Sequence, residues 1–250
     1  MSRSVLISGG AGGMGLATAE RFASLGDRVM LADIDAAGLD DAESERFSTV
    51  VTDVSSVADC NRMVAETLAR QGGLDILVCA AGLWVEGPTV EMTEEQWDRT
   101  IDVNLKGAFF SCVAAIPPLI ASQGSIVLIS SDYGIVGGPG AAIYCASKFG
   151  VNGLMRSLAL ELAPKGVRVN SVCPADVATP MLEGQARDYG DGDPDGYYEG
   201  LLATLPQGLE RARFIRPDEI ASVIAFLSSP EAAPINGVSM PVEWGVTTGY

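Results

Sequence analysis

A chain of 250 residues with 48% hydrophobic content can bury a full core, and its 32 acidic against 16 cationic residues leave a formal charge of −16. With no cationic excess to neutralise phosphates, partnership with nucleic acid or an anionic membrane is not expected. Histidine is absent, so proton transfer falls to tyrosine, lysine, carboxylate or cysteine, and no metal site is expected.

"MSRSVLISGG" runs directly into a strand and a glycine turn, without a secretory apolar region, and no apolar run of membrane-spanning length is read further along. Five widely spaced cysteines (Cys60, Cys79, Cys112, Cys145, Cys173) in apolar surroundings read as reduced core thiols, which implies a cytoplasmic location.

The first strand is "RSVLIS". "SGGAGGMG", Ser8 to Gly15, follows it and opens the helical stretch "GMGLATAERFASLG". Any tight strand-to-helix turn favours glycine. In this context, however, glycine also lets the backbone approach a pyrophosphate, and the helix N-terminus turns unpaired N–H groups toward its charge. The second strand, "DRVMLAD", ends on Asp33, eighteen positions after Gly15. A carboxylate there can accept hydrogen bonds from ribose hydroxyls and would repel a 2′-phosphate. Neither the turn nor the residues just after Asp33 carry Arg or Lys, so NAD is expected over NADP.

"FSTVVTD" is the third strand, and "SVADCNRMVAETLARQG" the helix after it. "LDILVCAAG" is the fourth strand, followed by the long helical stretch "TEEQWDRTIDVNLKGAFFSCVAAIPPLI". "GSIVLISS" is the fifth, followed by "AIYCASKFGVNGLMRSLALELAPKG", in which Tyr144 and Lys148 share a helix face at i and i+4. On its own this pair reads equally as a tyrosine packed on an alkyl stem. "GVRVNSVCP", the helix "RPDEIASVIAFLSS" and "NGVSMPVE" complete the alternation. Strands that are apolar on both faces, alternating with helices, predict an α/β fold. It is a doubly wound parallel sheet of about seven strands with helices on both faces, forming one domain over 1–250. Residues 182–214, rich in glycine, aspartate and tyrosine, lose regular period. A linker would look similar, but their place between two elements favours a substrate loop or lid.

The order and spacing of Gly9-xxx-Gly13-x-Gly15, Asp53-Val54, Ala80-Ala81-Gly82, Asn104, Ser131, Tyr144-xxx-Lys148 and Pro174 through Thr179 resemble the short-chain dehydrogenase/reductase family over essentially the whole chain. The resemblance implies a single Rossmann-like domain, an NAD(P) cofactor and a homotetramer or homodimer. It places the glycine turn, Gly9, Gly12, Gly13, Met14 and Gly15, on the pyrophosphate, and Asp33 with Ile34 at the adenosine ribose. Asp53 and Val54 would flank the adenine, Ala80, Ala81 and Gly82 would follow the ribose, and Pro174, Val177 and Thr179 would hold the nicotinamide carboxamide.

Ser131 matches the family's catalytic serine, and Asn104 the asparagine that holds a proton-relay water. Tyr144 matches the acid/base, and Lys148 the lysine that stabilises its phenolate and binds the nicotinamide ribose. The sequence departs from the family at Cys79, where asparagine is common, and at Ala175, where glycine is common. At the C-terminus "VEWGVTTGY" replaces the frequent Asp-Gly-Gly, so Glu243 and Trp244 argue against the usual subunit contact there, and Trp244 is expected buried at an interface. The long helices from Asn104 and Ala142 are expected to form such an interface too.

The expected activity is hydride transfer between NAD(H) and a secondary alcohol or ketone, the substrate being of medium size and mostly neutral. Trp84, Ser131, Tyr133, Tyr144 and Met181 are the main substrate candidates, with Asp132, Gly138 to Ala141, Tyr189, Tyr197 and Tyr198 as further ones. Two alternatives stand beside this. One is a 3-oxoacyl-carrier-protein reductase, disfavoured because a −16 chain would repel an acidic carrier; the other is a catalytically silent NAD-binding sensor or scaffold.

Overall fold

The computed structural model describes residues 2–42, 47–208 and 210–249. Seven strands, β1 Ser4–Ser8, β2 Arg28–Asp33, β3 Phe47–Val51, β4 Ile76–Cys79, β5 Ser125–Ile129, β6 Arg168–Pro174 and β7 Ser239–Val242, lie inside the seven expected runs. They form one parallel sheet in the order β3-β2-β1-β4-β5-β6-β7. Chain direction across the sheet reverses between β1 and β4, and ligands of such sheets bind in the crevice at the carboxyl ends of the strands flanking that point.

All residues of β1, β4 and β5 are buried, because helices cover both faces. The period-two alternation survives as a choice of face. Leu6, Met30, Leu77 and Ile126 join Met63 of helix α3 (Val57–Gln71), Leu119 of α5 (Ala108–Ser122) and Met155 of α6 (Ala142–Leu162). Val5, Ile7, Val29 and Leu31 join Phe22 of α1 (Gly13–Ser24) and Ile224 of α9 (Pro217–Leu227). Each fully buried side chain of this kind contributes roughly 1.5–3 kcal/mol, so both layers are needed for stability. The ends of α3 are set locally: Ser56 accepts the Asp59 N–H, and Gly72 closes the helix at φ 76°. Helix α4 (Glu94–Ile101) opens on a capping box made by Thr93 and Gln96.

Three elements differ from the sequence expectation. A short helix α2 (Ala36–Ala42) buries only Leu39 and so leaves no period to read. The irregular stretch 182–214 carries most of α7 (Pro180–Tyr189) and all of α8 (Pro194–Ala203), while its Leu209 lies outside the described residues. Each of these helices starts with a proline in its first turn, and Asp191 at φ 51° and Gly192 at φ 84° break the chain between them. The third difference concerns apolar length. Glu94–Ser122, continuous through a π-helical turn at Asp102–Gly107, is long and apolar enough by length and composition to cross a membrane, with mean hydropathy 1.5. Here it lies on the sheet layer, where Ala115 and Leu119 are fully buried. All five cysteines are free thiols, four of them buried.

Candidate active site

The turn after β1 is shaped by backbone demands that only glycine meets. Gly9 sits at φ 72° with its N–H on the Ala32 carbonyl at 2.8 Å, and Gly13 sits at φ 52°. A Cβ on Gly15 would overlap the Gly9 carbonyl oxygen, whereas one on Gly12 would enter open space. Asp33, at the end of β2, accepts the Ala11 N–H on Oδ2 at 3.0 Å and the Asp35 N–H on Oδ1 at 3.1 Å, which fixes the carboxylate beside the turn.

Gly9, Gly12, Gly13, Gly15 and Asp33 line a cavity of about 280 Å³ together with Met14, Ile34, Asp53, Val54, Ala80, Ala81, Gly82 and Thr179. No Arg or Lys lines it among the described residues. A side-chain-free cradle at a helix N-terminus, with a fixed carboxylate at the next strand end, fits a dinucleotide. Thr52, Val103, Pro180 and Met181 also line it and were not anticipated there. They are short or apolar side chains at strand and helix ends, with no local signature.

A second cavity of about 370 Å³ shares Met14, Thr179 and Met181 with the first and is lined by Ser131, Tyr133, Tyr144, Trp84, Pro174 and Val177. The Tyr144 ring lies 4.5 Å from that of Trp84, and Trp84 lies 5.8 Å from Tyr133. Burial pushes the Tyr144 phenol well above its ordinary value. Ser131 beside it pulls the other way, and the charges of Asp132 and Asp176 add to the rise. Lys148 is 4% exposed, and burial brings its ammonium down to about 8. Its Nζ donates to the Ile129 carbonyl at 2.9 Å and stands 5.5 Å from the Tyr144 ring centre. Buried Asn104 lies in the π-helical turn. Its Oδ1 accepts the Leu83 N–H at 2.8 Å, and its Nδ2 donates to the Leu83 carbonyl at 3.0 Å and to Ser147 Oγ at 3.1 Å. Asn104 therefore ties the stretch after β4 to helix α6.

The same cavity is lined by residues that sequence reading missed, above all Glu86 and Asp176, with Gln185, Leu201, Leu205 and Val246. Tyr197 lines it as expected. Tyr198 does not; it packs edge-on against Phe214 at 5.5 Å. Trp244 is 39% exposed, with the Arg213 guanidinium 4.6 Å over its ring.

The fold and its two joined cavities define a dinucleotide-binding oxidoreductase. A family model described as enoyl-(acyl carrier protein) reductase matches residues 9–247. The 3-oxoacyl-acyl-carrier-protein reductase of Thermotoga maritima is 36% identical over 96% of this chain and 96% of its own length. The meso-2,3-butanediol dehydrogenase of Serratia marcescens is 35% identical over 97% and 94%. The crystal structure of levodione reductase superposes with a TM-score of 0.94 at 31% identity, covering 99% of this chain and 98% of that one. The chain belongs to the short-chain dehydrogenase/reductase family, whose members bind a nicotinamide cofactor.

Proposed function

We propose that this protein is an NAD-dependent dehydrogenase/reductase that interconverts a secondary alcohol and its ketone. One observation carries the reading: Tyr144 and Ser131 line one cavity, and that cavity shares Met14, Thr179 and Met181 with the glycine-lined groove. When bound, NAD supplies or accepts the hydride. Tyr144 gives a proton to the substrate oxygen in reduction and takes it in oxidation, and Ser131 donates a hydrogen bond to that oxygen as charge builds there. A buried phenol is a poor acid. The Lys148 ammonium, held by the Ile129 carbonyl behind the tyrosine, supplies the positive charge that favours the phenolate.

Asn104 serves as a positioning residue through its three hydrogen bonds. Asp33 accepts the ribose hydroxyls and disfavours a 2′-phosphate, and among the described residues no Arg or Lys lines the groove to bind one. The exposed apolar side chains Phe109, Val113, Phe149 and Leu160 on α5 and α6 support assembly as a homotetramer or homodimer. The free cysteines support a cytoplasmic location.

The test is titration with NADH and NADPH, then a screen of secondary alcohols with the preferred coenzyme. The reading expects tighter NADH binding and turnover. NADPH preference would favour a carrier-protein reductase, and binding without any turnover would favour a silent sensor.

A further inference from the structure

The second cavity is the substrate pocket of the function proposed above, and this inference rests on that reading. Glu86 reaches it from the stretch after β4, Asp132 from the end of β5 and Asp176 from the end of β6. Three strand ends thus deliver carboxylates to one space, and no Lys or Arg lines it among the described residues. Two hydrogen bonds hold Glu86: Trp84 Nε1 and the Tyr197 hydroxyl both donate to its Oε2 at 3.0 Å. The Asp176 carboxylate has no hydrogen bond or ion pair among the described residues. It is half-buried, and burial together with the charges of Asp132 and Glu86 raises its pKa to about 6.

Like charges gathered in a partly desolvated wall oppose one another, and a cation bound between them relieves that cost. Among the described residues, no group of three or more His, Cys, Asp or Glu side chains is disposed to hold a metal ion, so the cation considered for this wall is an organic one. The remaining walls suit one, because Trp84, Tyr133, Tyr144 and Tyr197 present ring surfaces to the same cavity.

We propose that the substrate is an amino alcohol or its ketone, its cationic amine or quaternary ammonium bound by Asp176 and Glu86 while its carbinol oxygen lies at Ser131 and Tyr144. The cation would also help the chemistry. Asp132 and Asp176 both oppose ionisation of Tyr144, and a positive charge between them and the phenol offsets that opposition. Substrate charge therefore acts on both KM and kcat.

The test compares three alcohols of nearly the same shape on the NAD-loaded enzyme. These are the (2-hydroxypropyl)trimethylammonium ion, its neutral isostere with carbon in place of nitrogen, and the anionic hydroxybutanoate. The inference expects kcat/KM for the cation to exceed that of the neutral isostere by about tenfold or more, with the anion slowest. In Asp176→Asn and Glu86→Gln, each verified as folded by NADH binding, the cation-to-neutral ratio should fall toward one. A neutral isostere turned over as fast as the cation, or a ratio unmoved in both variants, would overturn the inference while leaving the oxidoreductase reading intact. Turnover of none of the three, with NADH bound, would count against both.

Discussion

The Ser131 hydroxyl donates to Asp132 Oδ1 at 2.7 Å, while the Tyr133 N–H reaches both oxygens, at 3.1 Å and 2.8 Å. The side chain proposed to hold a substrate oxygen is thus already engaged by the next residue, whose charge also opposes ionisation of Tyr144. In the proposed reaction, alcohol oxidation needs Tyr144 without its proton. Replacing Asp132 by Asn removes a negative charge, so the pH profile of kcat/KM for oxidation should rise at lower pH than in the wild type. A profile that stays in place or moves to higher pH would contradict this coupling.

Asp176 gives a prediction about stability. Its pKa is raised from 3.8 to about 6, so the folded state binds more protons than the unfolded state between those values. Stability therefore falls as pH rises through that window, and the cost is fully present above it. The groups facing Asp176 are the carboxylates Asp132 and Glu86, with Tyr133, Tyr144 and Tyr197 neutral at these pH values. Asp176→Asn should make the ligand-free protein more stable by roughly 1–3 kcal/mol at about pH 8, with little difference at about pH 4. Urea unfolding at the two pH values measures it. A wild type more stable than the variant at the higher pH would show that Asp176 has a partner in the wall.

At the cofactor groove, Asp33→Ala removes a charged acceptor fixed by the Ala11 and Asp35 N–H groups. Hydrogen bonds to charged groups are worth about 1.5–3 kcal/mol, so NADH affinity should fall by roughly tenfold to a hundredfold, and the preference over NADPH should shrink. Fluorescence titration with both coenzymes decides it. An unchanged ratio would take Asp33 out of the selectivity.

Two glycines separate folding from binding. Gly15→Ala drives a methyl into the Gly9 carbonyl and should lower both the thermal midpoint and NADH affinity, with overpacking of about 1–3 kcal/mol. Gly12→Ala points its methyl into open space that lines the groove. It should leave the midpoint nearly unchanged and weaken NADH binding alone. Equal loss of stability in the two variants would refute this difference.

Much of the fold is legible along the chain because most of the seven strands are short apolar runs rich in Val, Ile and Leu, closed by polar or glycine-containing turns. Helices α7 and α8 are not legible. Apolar residues follow no helical period in them, and only Leu182 and Ala186 are buried in the pair. The same division holds in the site. Gly9 to Gly15, and Tyr144 with Lys148, form local patterns whose spacing follows from one turn and one helix. Glu86, Asp132 and Asp176 are each 44 or 46 positions from the next in sequence and meet only because β4, β5 and β6 are neighbours in the sheet. No local pattern announces that meeting.

The most direct measurement of the central claim is steady-state turnover of Tyr144→Phe, paired with NADH titration of the same variant. Phenylalanine keeps the ring against Trp84 and removes only the hydroxyl. The account predicts that kcat/KM falls by about a thousandfold or more, while NADH affinity stays within roughly threefold of the wild type. Turnover near the wild-type rate would contradict it and pass the proton transfer to another group.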